Sequence, residues 1–98
     1  MSALVSIHEA AEAELNETAD FYDRVSIGLG AEFIKEIWRA IENIKQFPEA
    51  SPLIRDRVRK KTLMRFPYSL IYSIRPGEIR ILAVAHQKRR PFYWRDRG

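Results

Sequence analysis

A chain of 98 residues, 46% hydrophobic and without cysteine, has room for one domain and one core, and no disulfide is available to staple a weak core. The net charge of +4 hides a segregation: residues 1–54 hold 4 Lys/Arg against 10 Asp/Glu, a net of −6, and residues 55–98 hold 13 against 3, a net of +10. One face of the domain is therefore expected to attract phosphates or acidic partners. The N-terminus, MSALVSIHEAAEAEL, has neither the basic start nor the apolar run of a secretory signal. The longest apolar run, Ile81-Leu82-Ala83-Val84-Ala85, is far short of the ~20 residues of a membrane span. The expectation is a soluble, cytoplasmic protein without membrane contact, and the lack of cysteine fits a reducing compartment.

In chain order, Ala3 to Ile7 is β-prone. Ser6, with Glu9 three residues later, fits a capping box that opens a helix. Its apolar stripe is Ala11, Leu15, Ala19, Tyr22 and Val25, and Glu12, Glu14, Glu17, Asp20 and Asp23 fill its other faces as a solvated acidic surface. Gly28-Leu29-Gly30 breaks the pattern, and a glycine just past a helix end suits a tight turn into a second helix. That helix runs from about Leu29 to Phe47, with Phe33, Ile37, Ile41, Ile44 and Phe47 on one stripe, widened by Ile34 and Trp38. Pro48 ends it, and Pro52 keeps the next segment irregular.

From Arg57 to Arg65 the chain is strand-like and heavily basic, until Pro67 interrupts it. Tyr68 to Arg75 alternates, with Leu70, Tyr72 and Ile74 on one face and Ser69, Ile71 and Ser73 on the other. Pro76-Gly77 is a turn. Glu78 to Gln87 is the most hydrophobic strand, with Ile79, Ile81 and Ala83 on one face and Leu82 and Val84 on the other, as a central strand covered on both sides would be. The helical hairpin covers one face only, so the second needs a local cover or a partner. After it, Pro91 can open a short final helix holding Phe92, Tyr93 and Trp94. The order β-α-α-β-β-β predicts an α+β domain, an antiparallel sheet with a helical hairpin packed on one face and a short C-terminal tail or helix, the whole of residues 1–98 forming one unit. His8 reads as a helix-boundary residue. Two distant histidines without cysteine make no metal site, and nothing in the sequence calls for a cofactor.

Five segments, in this order, carry a resemblance: Tyr22…Gly28-Leu29-Gly30…Phe33; Phe47-Pro48; Arg65-Phe66-Pro67-Tyr68-Ser69-Leu70-Ile71-Tyr72; Ile81-Leu82-Ala83-Val84-Ala85-His86; and Arg89-Arg90-Pro91-Phe92-Tyr93-Trp94-Arg95-Asp96-Arg97. Together they resemble the RelE/ParE superfamily over nearly the whole chain. The resemblance implies the toxin of a bacterial type II toxin–antitoxin pair, of the kind once described as plasmid stabilisation proteins. It also implies a cognate antitoxin whose disordered segment wraps the toxin and whose second domain binds promoter DNA, so that promoter DNA is met only through the antitoxin. An acidic segment of that kind would cover the open sheet face and neutralise the basic half, folding as it binds.

Two activities compete within the superfamily. A ribosome-dependent mRNA endonuclease needs a base for the 2′-OH proton, cations for the phosphate and a donor for the leaving oxygen. On the resemblance, Lys60, Lys61, Arg65, His86, Arg89 and Tyr93 fill parts of that set. The same alignment places Ser69 and Gln87 at arginine positions and Thr62 at a lysine position, while Tyr93 falls on a tyrosine position. The ParE-like activity, inhibition of DNA gyrase by contact, fits the Gly28-Leu29-Gly30 turn and the C-terminal run better. Its contact surface would comprise Arg65, His86, Arg89, Arg90, Tyr93, Trp94 and Arg97. A third reading is an inactive member that binds only antitoxin or nucleic acid.

Overall fold

The computed structural model describes residues 4–98. Its elements are β1 (Leu4–Ile7), α1 (Glu9–Val25), α2 (Leu29–Gln46), β2 (Leu53–Arg55), β3 (Val58–Thr62), β4 (Tyr68–Arg75) and β5 (Glu78–His86). The expected start of the first strand at Ala3 lies outside the described residues. The strands form one five-stranded sheet in the order β1-β5-β4-β3-β2. This is the expected α+β architecture with two differences. The sheet is mixed, because β1 runs parallel to β5 while the other pairs are antiparallel. The helical hairpin returns the chain to the end at which β1 finished, and the four-strand meander that follows brings β5 into the direction of β1. The second difference is β2, three residues in the segment expected to be irregular. It is an edge strand, and Pro52 sits just before it, contributing only its carbonyl to the Lys60 amide (3.1 Å). A proline is tolerated at that place because it owes the ladder no N–H.

Helix α1 starts two residues later than the capping box predicts. Ser6 is paired within β1 and its hydroxyl donates to Glu78, whereas His8 is the N-cap, its Nδ1 accepting the Ala10 amide at 3.0 Å. The turn between the helices depends on two glycines. Gly28 has φ 90°, the left-handed region where a side chain is strained. Gly30 lies where the helices touch: its amide donates to Asp23 Oδ1 (2.8 Å), and a Cβ there would meet the Ala19 carbonyl oxygen at 2.3 Å.

The hairpin packs one face of the sheet. Ala11, Leu15 and Ala19 from α1 and Phe33, Ile37, Ile41 and Ile44 from α2 meet Leu70, Tyr72, Ile79, Ile81 and Val84. The predicted stripes hold except where they overrun their helices: Val25 and Phe47 are exposed, and Trp38, expected to widen the second stripe, is 49% exposed. Within β5 the face assignment also changes. Ile71 pairs with Ala83 but Tyr72 with Ile81, which leaves Leu82 as the extra residue of a bulge. Beyond it the phase reverses, so Val84 joins Ile79 and Ile81 under the helices, while Ala83 turns to the opposite face with Leu82 and Ala85.

That opposite face, expected to need a local cover or a partner, has a local cover from within the chain. Trp94, 5% exposed, packs on Ile71, Leu82, Ala83 and Ala85, with Phe92, Tyr93, Ile54 and Val58 around it. The predicted final helix is absent: the segment is a series of turns, with Arg95 N donating to the Phe92 carbonyl and Arg97 N to that of Trp94. Phe92 itself has φ 59°, a strained value for a bulky side chain and one incompatible with a continuous helix. Replacing Gly30 with Ala is expected to destabilise the fold by about 1–3 kcal/mol, the scale of overpacking, read as a lower denaturation midpoint at unchanged slope. An unaltered midpoint would show that the helices part there without cost.

Candidate functional site

Between the outer sheet face and the tail lies a cleft of about 230 Å³, lined by Lys60 of β3, Ser69 and Ile71 of β4, His86 at the end of β5, and Gln87, Arg89, Arg90, Tyr93 and Trp94 from the tail, among others. Strand alternation decides which basic residues reach it. Lys60 faces the cleft, whereas Lys61, its neighbour, is on the helix side beside Arg39 and Asn43 of α2. Arg65 is also held away, pairing with Glu32 of α2 at 3.0 Å, while the amides of Met64 and Arg65 both donate to Glu36. Of the six residues expected for a nuclease, the fold therefore gathers Lys60, His86, Arg89 and Tyr93 at this cleft and turns Lys61 to the helix side, while Arg65 lines a neighbouring pocket that shares Lys60, Ser69 and Gln87 with it. Of the seven expected for a contact surface it gathers His86, Arg89, Arg90, Tyr93 and Trp94 at the cleft, and separates Arg65 and Arg97 from it.

The gathered groups are donors. Among the described residues, no Asp or Glu lines the cleft. His86 Nδ1 accepts the Lys88 amide at 3.0 Å, and the ring rests edge-on against Tyr68. A neutral ring so bonded carries its proton on Nε2 and has only a donor left to offer. The Arg89 guanidinium lies over the Tyr93 ring, 4.1 Å from its centroid, a cation–π contact that fixes the charge over the aromatic face. The Tyr93 hydroxyl is turned inward, where it donates to Glu14 Oε2 at 2.8 Å. Burial, and then the bond to and charge of Glu14, push the phenol well above its ordinary range, so it keeps its proton further into the alkaline range than a free phenol does. The cleft thus concentrates cations and donors, a lining complementary to an anionic group.

Glu14 is the residue that the sequence reading missed. Its carboxylate accepts from Tyr93, from both Arg97 Nη atoms (2.9 and 3.1 Å) and from the Val84 amide (3.0 Å), while Arg97 Nη1 also donates to the carbonyl of the bulged Leu82 (3.1 Å). The pair is largely buried, with side chains 16% and 17% exposed, and the bond to Glu14 raises the already high pKa of Arg97. A helical wheel carries the missing signal. Glu14 lies three residues after Ala11 and four before Thr18, both buried, which places it on the flank of the covered stripe rather than opposite to it. Among the described residues, no group of three or more His, Cys, Asp or Glu comes together as metal ligands do.

The Tyr93 phenol has a testable consequence. In the unfolded chain it titrates near its ordinary value of 10.0 and in the folded chain higher, so above that pH the native state binds more protons than the unfolded state and stability falls as pH rises. Tyr93→Phe is expected to flatten this alkaline loss, and to cost about 1.5–3 kcal/mol near neutrality, where the wild type has the bond to a carboxylate. Denaturant midpoints from pH 7 to 11 check both. Parallel curves for the two proteins would show that Tyr93 shares its proton no more tightly than a free phenol.

Residues 5–91 match the family model described as the ParE toxin of the type II toxin-antitoxin system, parDE. Among solved structures, a chain from the chromosomal ParDE TA system of P. aeruginosa is similar, with a TM-score of 0.74 and 24% identity, over 87% of this chain and 96% of that one. At that identity the likeness concerns the fold, the same hairpin-on-sheet arrangement. No curated protein matches the sequence. With the family model spanning all but the ends of the chain, the protein belongs to the ParE toxin family of type II toxin–antitoxin systems.

Proposed function

We propose that this protein is the growth-arresting member of its toxin–antitoxin pair, that it works in the cytoplasm by docking on DNA gyrase, and that the cleft and tail are the docking surface. The observation that carries this reading is the lining of the cleft: Lys60, His86, Arg89 and Arg90 beside aromatic rings, with the Tyr93 hydroxyl turned away to Glu14 and, among the described residues, no carboxylate. Surfaces of this composition, with arginines and aromatic side chains on a rigid floor, suit protein contact, since Arg, Tyr and Trp dominate binding hot spots. On this reading the exposed Arg89 and Arg90 meet the target directly, with His86 and Tyr93 beside them in the cleft. Trp94 and Arg97 hold the tail in place from beneath, and Arg65 is committed to α2. A cognate antitoxin with an acidic, partly disordered segment would neutralise the basic half and would alone contact promoter DNA.

The convergence of Lys60, His86, Arg89 and Tyr93 on one cleft favours ribosome-dependent mRNA cleavage as the second reading. It lacks a proton acceptor, because His86 Nδ1 is occupied and Tyr93 is held as a donor.

A paired assay separates the two: purified protein with gyrase in a supercoiling reaction, and with translating ribosomes in an mRNA cleavage reaction. Loss of supercoiling with intact mRNA is expected, and cleaved mRNA with untouched gyrase overturns the proposal. The double substitution Arg89→Ala/Arg90→Ala is expected to abolish growth arrest while leaving the fold intact by circular dichroism. Full toxicity in that variant would show that the tail is not the working surface.

A further inference from the structure

We infer that Glu14, on the acidic helix and outside the cleft, is a positioning residue for the docking surface: it locks the C-terminal tail in the conformation that presents Arg89 and Arg90. The inference rests on the docking proposal above and extends it to a residue in the opposite half of the chain.

The tail is peculiar in what holds it. From Gln87 onward it has neither helix nor strand pairing, only isolated turns. It is anchored to the rest of the domain at its start by the Gln87 amide on the Pro67 carbonyl, along its length by the burial of Trp94 and the Arg55 guanidinium over Phe92, by a bond from Arg75 to the Gly98 carbonyl, and by the cluster at Glu14, where most of its side-chain bonds converge. In that cluster the carboxylate takes two donors from Arg97 and one from Tyr93, while its fourth bond fixes it to the Val84 amide of the central strand. Glu14 is thus tied to the sheet on one side and to the tail on the other.

The consequence for the cleft follows from chain connectivity. Arg89 is stacked on the Tyr93 ring, and the ring is aimed by its hydroxyl bond to Glu14. Phe92 is held in left-handed backbone geometry, a conformation that persists only where its surroundings over-determine it. Without the acceptor at position 14, Tyr93 and Arg97 lose their common partner, Phe92 can relax, and the wall of the cleft from Pro91 to Trp94 is no longer fixed. The core beneath the helices shares none of these residues. Loss of the latch therefore loosens the tail without unfolding the domain.

Glu14→Gln keeps the shape of the side chain but removes the charge and turns an amide donor toward Arg97. Bonds to a charged group of this kind correspond to roughly a tenfold to hundredfold change in an opening equilibrium. Three readouts test the inference. Amide exchange of residues 92–97 is expected to accelerate at least tenfold, with the amides of β4 and α2 still protected. The emission of Trp94 is expected to shift to longer wavelength. Growth arrest and gyrase affinity are expected to fall with the tail, not with global stability. The control is Tyr72→Phe, which removes the buried hydroxyl bond to the Pro48 carbonyl on the other sheet face and lowers stability without touching the tail. It is expected to retain full activity.

An Arg97→Lys variant, which preserves one charged bond to Glu14, is expected to recover part of the activity that Arg97→Ala loses. Unchanged tail exchange in Glu14→Gln overturns the inference, as does an activity loss that Tyr72→Phe reproduces at equal destabilisation. A wild-type protein that arrests growth without engaging gyrase overturns the choice of target alone, and the Glu14 comparison is then read on growth arrest.

Discussion

A sheet strand that outlasts its neighbour leaves backbone groups that must bond to something, and that constraint organises this molecule. The parallel register of β1 on β5 runs only from Leu4 with Glu78 to Ile7 with Ile81. Beyond Ile81, on that side of β5, the Val84 amide and the Leu82 carbonyl have no strand to meet. Glu14 and Arg97 supply both partners and pair with each other in doing so. A carboxylate this far from solvent would be costly if unpaired, and deletion of one member of such a pair typically costs about 3–5 kcal/mol. Here each member is bonded to backbone as well as to the other, which is the geometry in which a largely buried pair holds its place.

The bulge at Leu82 is part of the same solution. By inserting one residue it lets β5 be apolar on both faces and yet serve two different covers: the helical hairpin over Ile79, Ile81 and Val84, and the tail over Leu82, Ala83 and Ala85. A strand without the bulge would present Ala83 to the helices and Val84 to the tail. The small residues instead lie where the large indole of Trp94 settles, and the branched ones where α1 and α2 leave space. Packing and polar satisfaction thus converge on the same few residues of one strand.

Most of the architecture was legible in the sequence because it is written in periodicity. The stripes of α1 and α2, the alternation of β4 and the punctuation at Gly28, Pro48 and Pro76 each follow from local rules, and each is found in the structure. What was not legible depends on tertiary contact. Three residues of β2 form a strand only because β3 offers an edge. The parallel sense of β1 follows from the number of reversals after it. The phase change at Leu82 needs a partner strand to become visible. The site divides in the same way: the charge count of the C-terminal half located the cleft, and the period of β3 separates Lys60 from Lys61. No count could show that Trp94 and Arg97 face inward, or that one of the ten acidic residues of the N-terminal half belongs to the basic tail. Glu14 looked like a solvated charge because its partner is 83 residues away.

That separation also orders events in time. Local contacts such as the hairpin form early, and pairings between distant positions wait for the chain that supplies them. In folding, the helical hairpin and the adjacent strands form through contacts near in sequence, and until Arg97 reaches Glu14 across 83 residues the tail has no fixed shape. On the proposed reading, the surface that docks is therefore the part of the domain that takes shape last, after the scaffold that carries it already stands.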